Sequence, residues 1–219
     1  MKHIRCGKVY EQGDPVVPPG GQFPLPAAST SPQLALRCNP GQIPFLPDDL
    51  NTPSSVILVD ALVRKQAITG AQPFNSTFQN SELQVTVSLD GETLTTGNVC
   101  LNGSAALPFS LSHMSPRTTP YSLACTAVTV SSPKQIFTSI PTNLTYLPQP
   151  PDYIGSVTKL DLRTGGLLAK RARIQELYQP IFPVGFFTNF DGYLNDNDTA
   201  LEVLKSQGCG FLKRSTSIS

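Results

Sequence analysis

The sequence predicts a mainly β protein: an immunoglobulin-like antiparallel sandwich, then a β-hairpin, then one incomplete strand-and-helix unit. Three observations predict it. The 219 residues include 21 prolines and are rich in Ser and Thr, which favours many turns over a helical bundle. Short β-branched runs alternate in polarity, as in ELQVTVSL, where Leu83, Val85 and Val87 face one way and Gln84, Thr86 and Ser88 the other. Asp90-Gly91 follows that run directly and signals a hairpin, because both residues tolerate positive φ.

The elements follow in order. Residues 1–32, densest in VVPPGGQFPLPAASTSP, read as an extended, mostly unpacked leader, with an ordered strap across a sheet as the alternative. Residues 33–150 form the sandwich. It opens at QLALRC, where Leu34, Leu36 and Cys38 alternate with Gln33, Ala35 and Arg37. In SSVILVDALVRK the core ILVDALV is apolar enough for a central strand, and Asp60 reads as a carboxylate at a bend or facing solvent rather than a buried acid. After the Asp90-Gly91 hairpin, LPFSLS, YSLACTAVTVSS and KQIFTSIPTNLTYLP supply further strands before the prolines of LPQPPDY mark a boundary. The rhythm gives about seven or eight strands over 33–147, the size of an immunoglobulin-like sandwich.

Composition excludes several functions. With 14% charged residues and a net charge of +1, nothing favours nucleic acid or an anionic membrane as partner. No run approaches the ~18 apolar residues of a membrane span, so no transmembrane segment is expected. The N-terminus has basic residues but no apolar h-region, so no signal peptide is visible. The five cysteines show no CxxC spacing and His3 and His113 are isolated, so neither a metal nor a cofactor is expected. No P-loop, GxGxxG or GxSxG occurs, and NDND lacks the glycine and terminal glutamate of a calcium loop.

Cys100 and Cys125 flank about two strands and are the disulfide expected across the sheets. It would close a loop of roughly 25 residues and contribute on the order of 3 kcal/mol. Two buried thiols are the alternative, Cys6 with Cys38 is a weaker pairing, and Cys209 has no evident partner. Sequons at Asn75, Asn102, Asn143 and Asn197 lean towards a secreted glycoprotein.

Residues 151–177 read as a hairpin linker. GSVTKLDLRTGGLLAKR turns at Thr164-Gly165-Gly166, with Leu160 and Leu162 on one face. Residues 171–177 stay open, since LLAKRARIQEL also fits a short amphipathic helix. Over 178–208, the apolar run PIFPVGFF precedes a polar loop and then NDNDTALEVLKSQG, in which Thr199 and Glu202 fit a capping box and Gly208 a helix stop. Strand, loop, helix and glycine make one βα unit, and residues 209–219, CGFLKRSTSIS, lack the apolar run of a second strand.

These residues carry a resemblance. QPIFPVGFFTNFDGYL resembles the opening strand of the (β/α)8 barrel of many glycoside hydrolases, which often reads Phe-x-Pro-x-Gly followed by an aromatic. With GSVTKLDLRTGGLL and the sandwich before it, the chain resembles the N-terminal part of secreted fungal glycoside-hydrolase-like proteins. The resemblance implies an extracellular protein with carbohydrate as partner, and two catalytic carboxylates on later barrel strands. It implies that Asn189, Asp191 and Tyr193 line a sugar site in a full-length protein. It implies no catalytic residue within this chain, which reads as truncated after its first barrel unit and silent without the missing barrel portion. The alternative is a non-enzymatic secreted immunoglobulin-like module that binds glycan or protein.

Overall fold

A computed structural model describes residues 3–5, 8–10, 26–50, 55–75, 82–130, 134–151, 153–154, 156–171, 177–182 and 199–206. Two short strands, β1 (His3–Arg5) and β2 (Lys8–Tyr10), pair antiparallel inside the region read as an extended leader. The same leader also gives up its end: β3 runs from Ala28 to Pro40, so the strand begins before residue 33.

The remaining strands are β4 (Gln42–Ile43), β5 (Val56–Gln66), β6 (Gln72–Pro73), β7 (Glu82–Leu89), β8 (Glu92–Cys100), β9 (Gly103–Pro108), β10 (Tyr121–Thr129), β11 (Ile136–Thr138), β12 (Thr142–Leu144), β13 (Ser156–Asp161), β14 (Gly166–Arg171) and β15 (Gln179–Ile181). Among the described residues one α-helix, α1, spans Ala200–Ser206.

Two antiparallel sheets make the body. One has the order β6-β3-β5-β9; the other runs β11-β10-β7-β8, with β12 also on the edge of β10 away from β7. Alternation explains why the sheets close on each other. Leu34, Leu36 and Cys38 of β3 and Ile57, Val59 and Ala61 of β5 join Leu83, Val85 and Val87 of β7 and Leu123, Cys125 and Ala127 of β10 in one hydrophobic cluster. Asp60, one residue out of step, lies on the outer face, where its carboxylate accepts the Ser104 hydroxyl at 2.5 Å. The β7–β8 turn is made at Asp90 (φ 50) and Gly91 (φ 94), the left-handed pair the dipeptide favours. The Asp90 carboxylate then accepts the Ser122 backbone N–H and an Arg117 N–H, and together these hold its carboxyl below the usual range.

The disulfide corrects an expectation. It joins Cys38 to Cys125, not Cys100 to Cys125, and Cys100 is an exposed thiol. The physical reason is parity. Val99 enters the core, so its neighbour Cys100 points out, whereas Cys38 and Cys125 both lie on inner faces of opposing sheets. The weaker pairing of Cys38 with Cys6 falls with it.

A third, smaller sheet has the order β15-β14-β13-β4. Its hairpin turns over Leu162–Gly165, with Gly165 at φ 72. Of the strand-and-helix expectation the helix is present as α1, whereas the barrel-type strand is not supported. The barrel's first strand would be buried between parallel neighbours, yet β15 pairs antiparallel with β14 and only half-buries Ile181, while Phe182 is 90% exposed. Residues 183–198 of that unit lie outside the described residues.

Candidate functional site

The charged side chains that the fold buries meet where the small sheet joins the sandwich. The junction begins at Phe45, fully buried, whose N–H donates to the Thr145 carbonyl and whose carbonyl accepts the Leu147 N–H. That pairing anchors the next residues. Pro47–Asp49 form a single 3-10 turn, in which the Asp49 carboxylate accepts the Leu46 N–H at 2.8 Å. Two adjacent acids, Asp48 and Asp49, are thereby aimed at the small sheet.

The small sheet answers with two lysines. Val157, Lys159 and Asp161 share one face of β13, and the antiparallel register places Lys170 opposite Val157 on that face. The Lys159 side chain is wholly buried; its Nζ lies 2.6 Å from Asp49 Oδ2 and 3.8 Å from Asp48 Oδ1. Lys170 Nζ donates to Asp48 Oδ2 at 2.9 Å. The Tyr178 ring covers the cluster, its centroid 3.9 Å from Lys159 Nζ and 5.8 Å from Lys170 Nζ. Burial, then the Asp48 and Asp49 charges, push the Tyr178 hydroxyl above the ordinary tyrosine range. At the end of β13, burial works to raise the Asp161 carboxyl. The Arg163 side-chain and backbone N–H groups and the Thr164 hydroxyl outweigh it and hold the carboxyl low.

This cluster is closed to substrate. Asp48 and Asp49 are occupied by lysines, Asp90 by Arg117 and Asp161 by Arg163. Glycoside hydrolysis needs two carboxyl groups roughly 5–9.5 Å apart across an open sugar site, and these acids are spent on internal pairs. Among the described residues no group of three or more His, Cys, Asp or Glu could hold a metal ion. A groove of about 130 Å³ runs between β3 and the far edge of the other sheet, lined by Leu36, Arg37, Cys38, Thr69, Ile140 and Thr142. It is small against the ~300–1,000 Å³ of typical ligand sites and holds no carboxylate. No described helix is long and apolar enough to cross a membrane.

The residues singled out from sequence stand apart from this junction. Asn189, Asp191, Tyr193 and the Asn197 sequon lie outside the described residues. Asn75 and Asn143 are exposed, and Asn102 sits exposed in the β8–β9 turn at φ 59 with its side-chain oxygen accepting the Val63 N–H at 2.9 Å. Lys159 was missed because the sequence reading followed only the apolar residues on the other face, Leu160 and Leu162. The available signal was the pair of acids in LPDD with lysines of the right parity in VTKLD and LLAKR. Compared with protein-family models, curated proteins and solved structures, the chain matches none.

Proposed function

We propose that the chain is the N-terminal accessory β-module of a glycoside-hydrolase-like, carbohydrate-active protein and catalyses nothing by itself. One observation carries the reading. The small sheet is locked on the sandwich by the Lys159–Asp49 and Lys170–Asp48 pairs, and it leaves apolar surface uncovered where its edge strand ends. Phe182 and Leu177, on either side of β15, are 90% and 68% exposed, and Tyr153, ahead of β13, is 84% exposed. A fixed edge with exposed aromatics beside it suits the docking of a further domain.

The sandwich is read as immunoglobulin-like from its strand order. The first, second and fifth principal strands (β3, β5, β9) share one sheet, and the fourth, third, sixth and seventh (β8, β7, β10, β11) the other, a Greek-key crossing. A disulfide within the core supports passage through an oxidising compartment, and the exposed Asn75, Asn102 and Asn143 are open to glycosylation. The antiparallel course of β15 favours a second reading, a self-standing secreted module that binds glycan or protein.

The test is direct. The purified chain, incubated with a panel of aryl glycosides and polysaccharides, is expected to release no product while remaining folded by circular dichroism. Turnover of any of them that survives repurification sinks the proposal. Retention on a glycan array, abolished by Phe182→Glu or Leu177→Glu, would favour the self-standing module.

A further inference from the structure

The junction holds more than an ion-pair lock requires. Lys159 Nζ touches Asp49 Oδ2 with its whole side chain buried. A second carboxylate oxygen, Asp48 Oδ1, lies 3.8 Å from the same nitrogen, is itself buried, and accepts no hydrogen bond. Its sister oxygen is already held by Lys170. The Tyr178 ring closes the amine from another side. A primary amine, a carboxyl carbon and an idle carboxylate oxygen are therefore held together away from water. Proximity and dry surroundings are what amide formation between an amine and an acid lacks in solution.

We propose that Lys159 and Asp49 condense after folding into an intramolecular side-chain amide. The Lys159 nitrogen gives up two protons in turn. Asp48 Oδ1 relays the first to Asp49 Oδ1, which leaves a free lone pair on Nζ to attack Asp49 Cγ. Charge building on Asp49 Oδ2 meets the Leu46 N–H already bonded there. The second proton follows the same relay, the C–Oδ1 bond breaks, and one water departs. One C–N bond has formed, one C–O bond has broken, and nothing is oxidised or reduced. The product ties the 3-10 turn of the sandwich to β13 across 110 residues of chain.

The experiment is mass spectrometry on the full chain, made in a non-glycosylating host with its disulfide formed, then denatured and reduced. The expected intact mass is one water below the sequence mass. A digest should yield the Asp49 peptide joined to the Lys159 peptide. Location is essential, because cyclisation at Asp90-Gly91 also loses one water. Lys159→Arg should restore the full mass, and Asp48→Ala should cut the cross-linked fraction at least tenfold. A folded wild type at the full sequence mass, or a lost water mapped to Asp90-Gly91, overturns the proposal. Equal cross-linking in Asp48→Ala overturns the relay.

Discussion

Replacing both Cys38 and Cys125 by Ala should be among the most damaging changes the sandwich can suffer, and its size follows from the chain. The bond spans 87 residues, and in the loop-entropy account releasing a loop of that length costs about 4.6 kcal/mol. At ~2–4 °C per kcal/mol for a chain of this size, the midpoint of thermal unfolding should fall by roughly 9–18 °C. Differential scanning calorimetry under non-reducing conditions reads it. Cys100→Ser is the paired control: its thiol is exposed, so its effect should stay within about 0.5 kcal/mol. A non-reducing digest should link the Cys38 peptide to the Cys125 peptide. The reasoning fails if the double variant melts within a few degrees of wild type, or if Cys100→Ser costs as much as the double change.

Three further outcomes are expected. Lys159→Ala takes the cation away from the buried Asp49 carboxylate, while Asp48 keeps Lys170, and should cost about 3–5 kcal/mol by urea denaturation; a loss below about 1 kcal/mol would mean water reaches Asp49. A Cβ added at Gly97 would run into the Leu107 side chain, so Gly97→Ala should cost roughly 1–3 kcal/mol, and Gly97→Ala with Leu107→Ala should cost less than the sum of the two singles. Asp161 has a depressed folded pKa, so its contribution is present above the ordinary value of 3.8 and drains as pH falls through the lower folded value. Asp161→Asn should flatten that part of a stability–pH curve, and an unchanged slope would show that Arg163 does not hold the carboxylate.

Much of the sandwich was legible because half-buried strands write their orientation as alternation. ELQVTVSL and QLALRC declare their inner faces, and Asp90-Gly91 declares its turn. The disulfide was not legible from spacing. Pairing depends on which strand joins which sheet and on parity within it, and Cys100 is one residue away from an inward position. The run beginning at Pro180 was read as a barrel strand by resemblance, and its apolar content alone does not specify a parallel or an antiparallel neighbour. The charged junction was hidden for a deeper reason. Reading apolar residues as buried selects Leu160, whereas pairing across more than a hundred residues makes Lys159 the buried one.

That inversion explains what kind of contact the small sheet makes. Among its described residues, Gln42, Lys159, Asp161 and Ala169 are buried, and three of those four are polar. A two-stranded hairpin is marginal alone, and this one gains little from apolar burial. Its hold on the sandwich comes instead from directional bonds to Asp48 and Asp49. Such bonds stabilise less than a well-packed apolar contact of the same volume, because both charges must be stripped of water. What they add is register. A slip of β13 by one residue would withdraw Lys159 from the acids and bring Thr158 or Leu160 in its place, taking the cation away from the buried Asp49 carboxylate. A contact that trades stability for a single orientation is what an element needs when its outer edge must meet something else at a fixed angle.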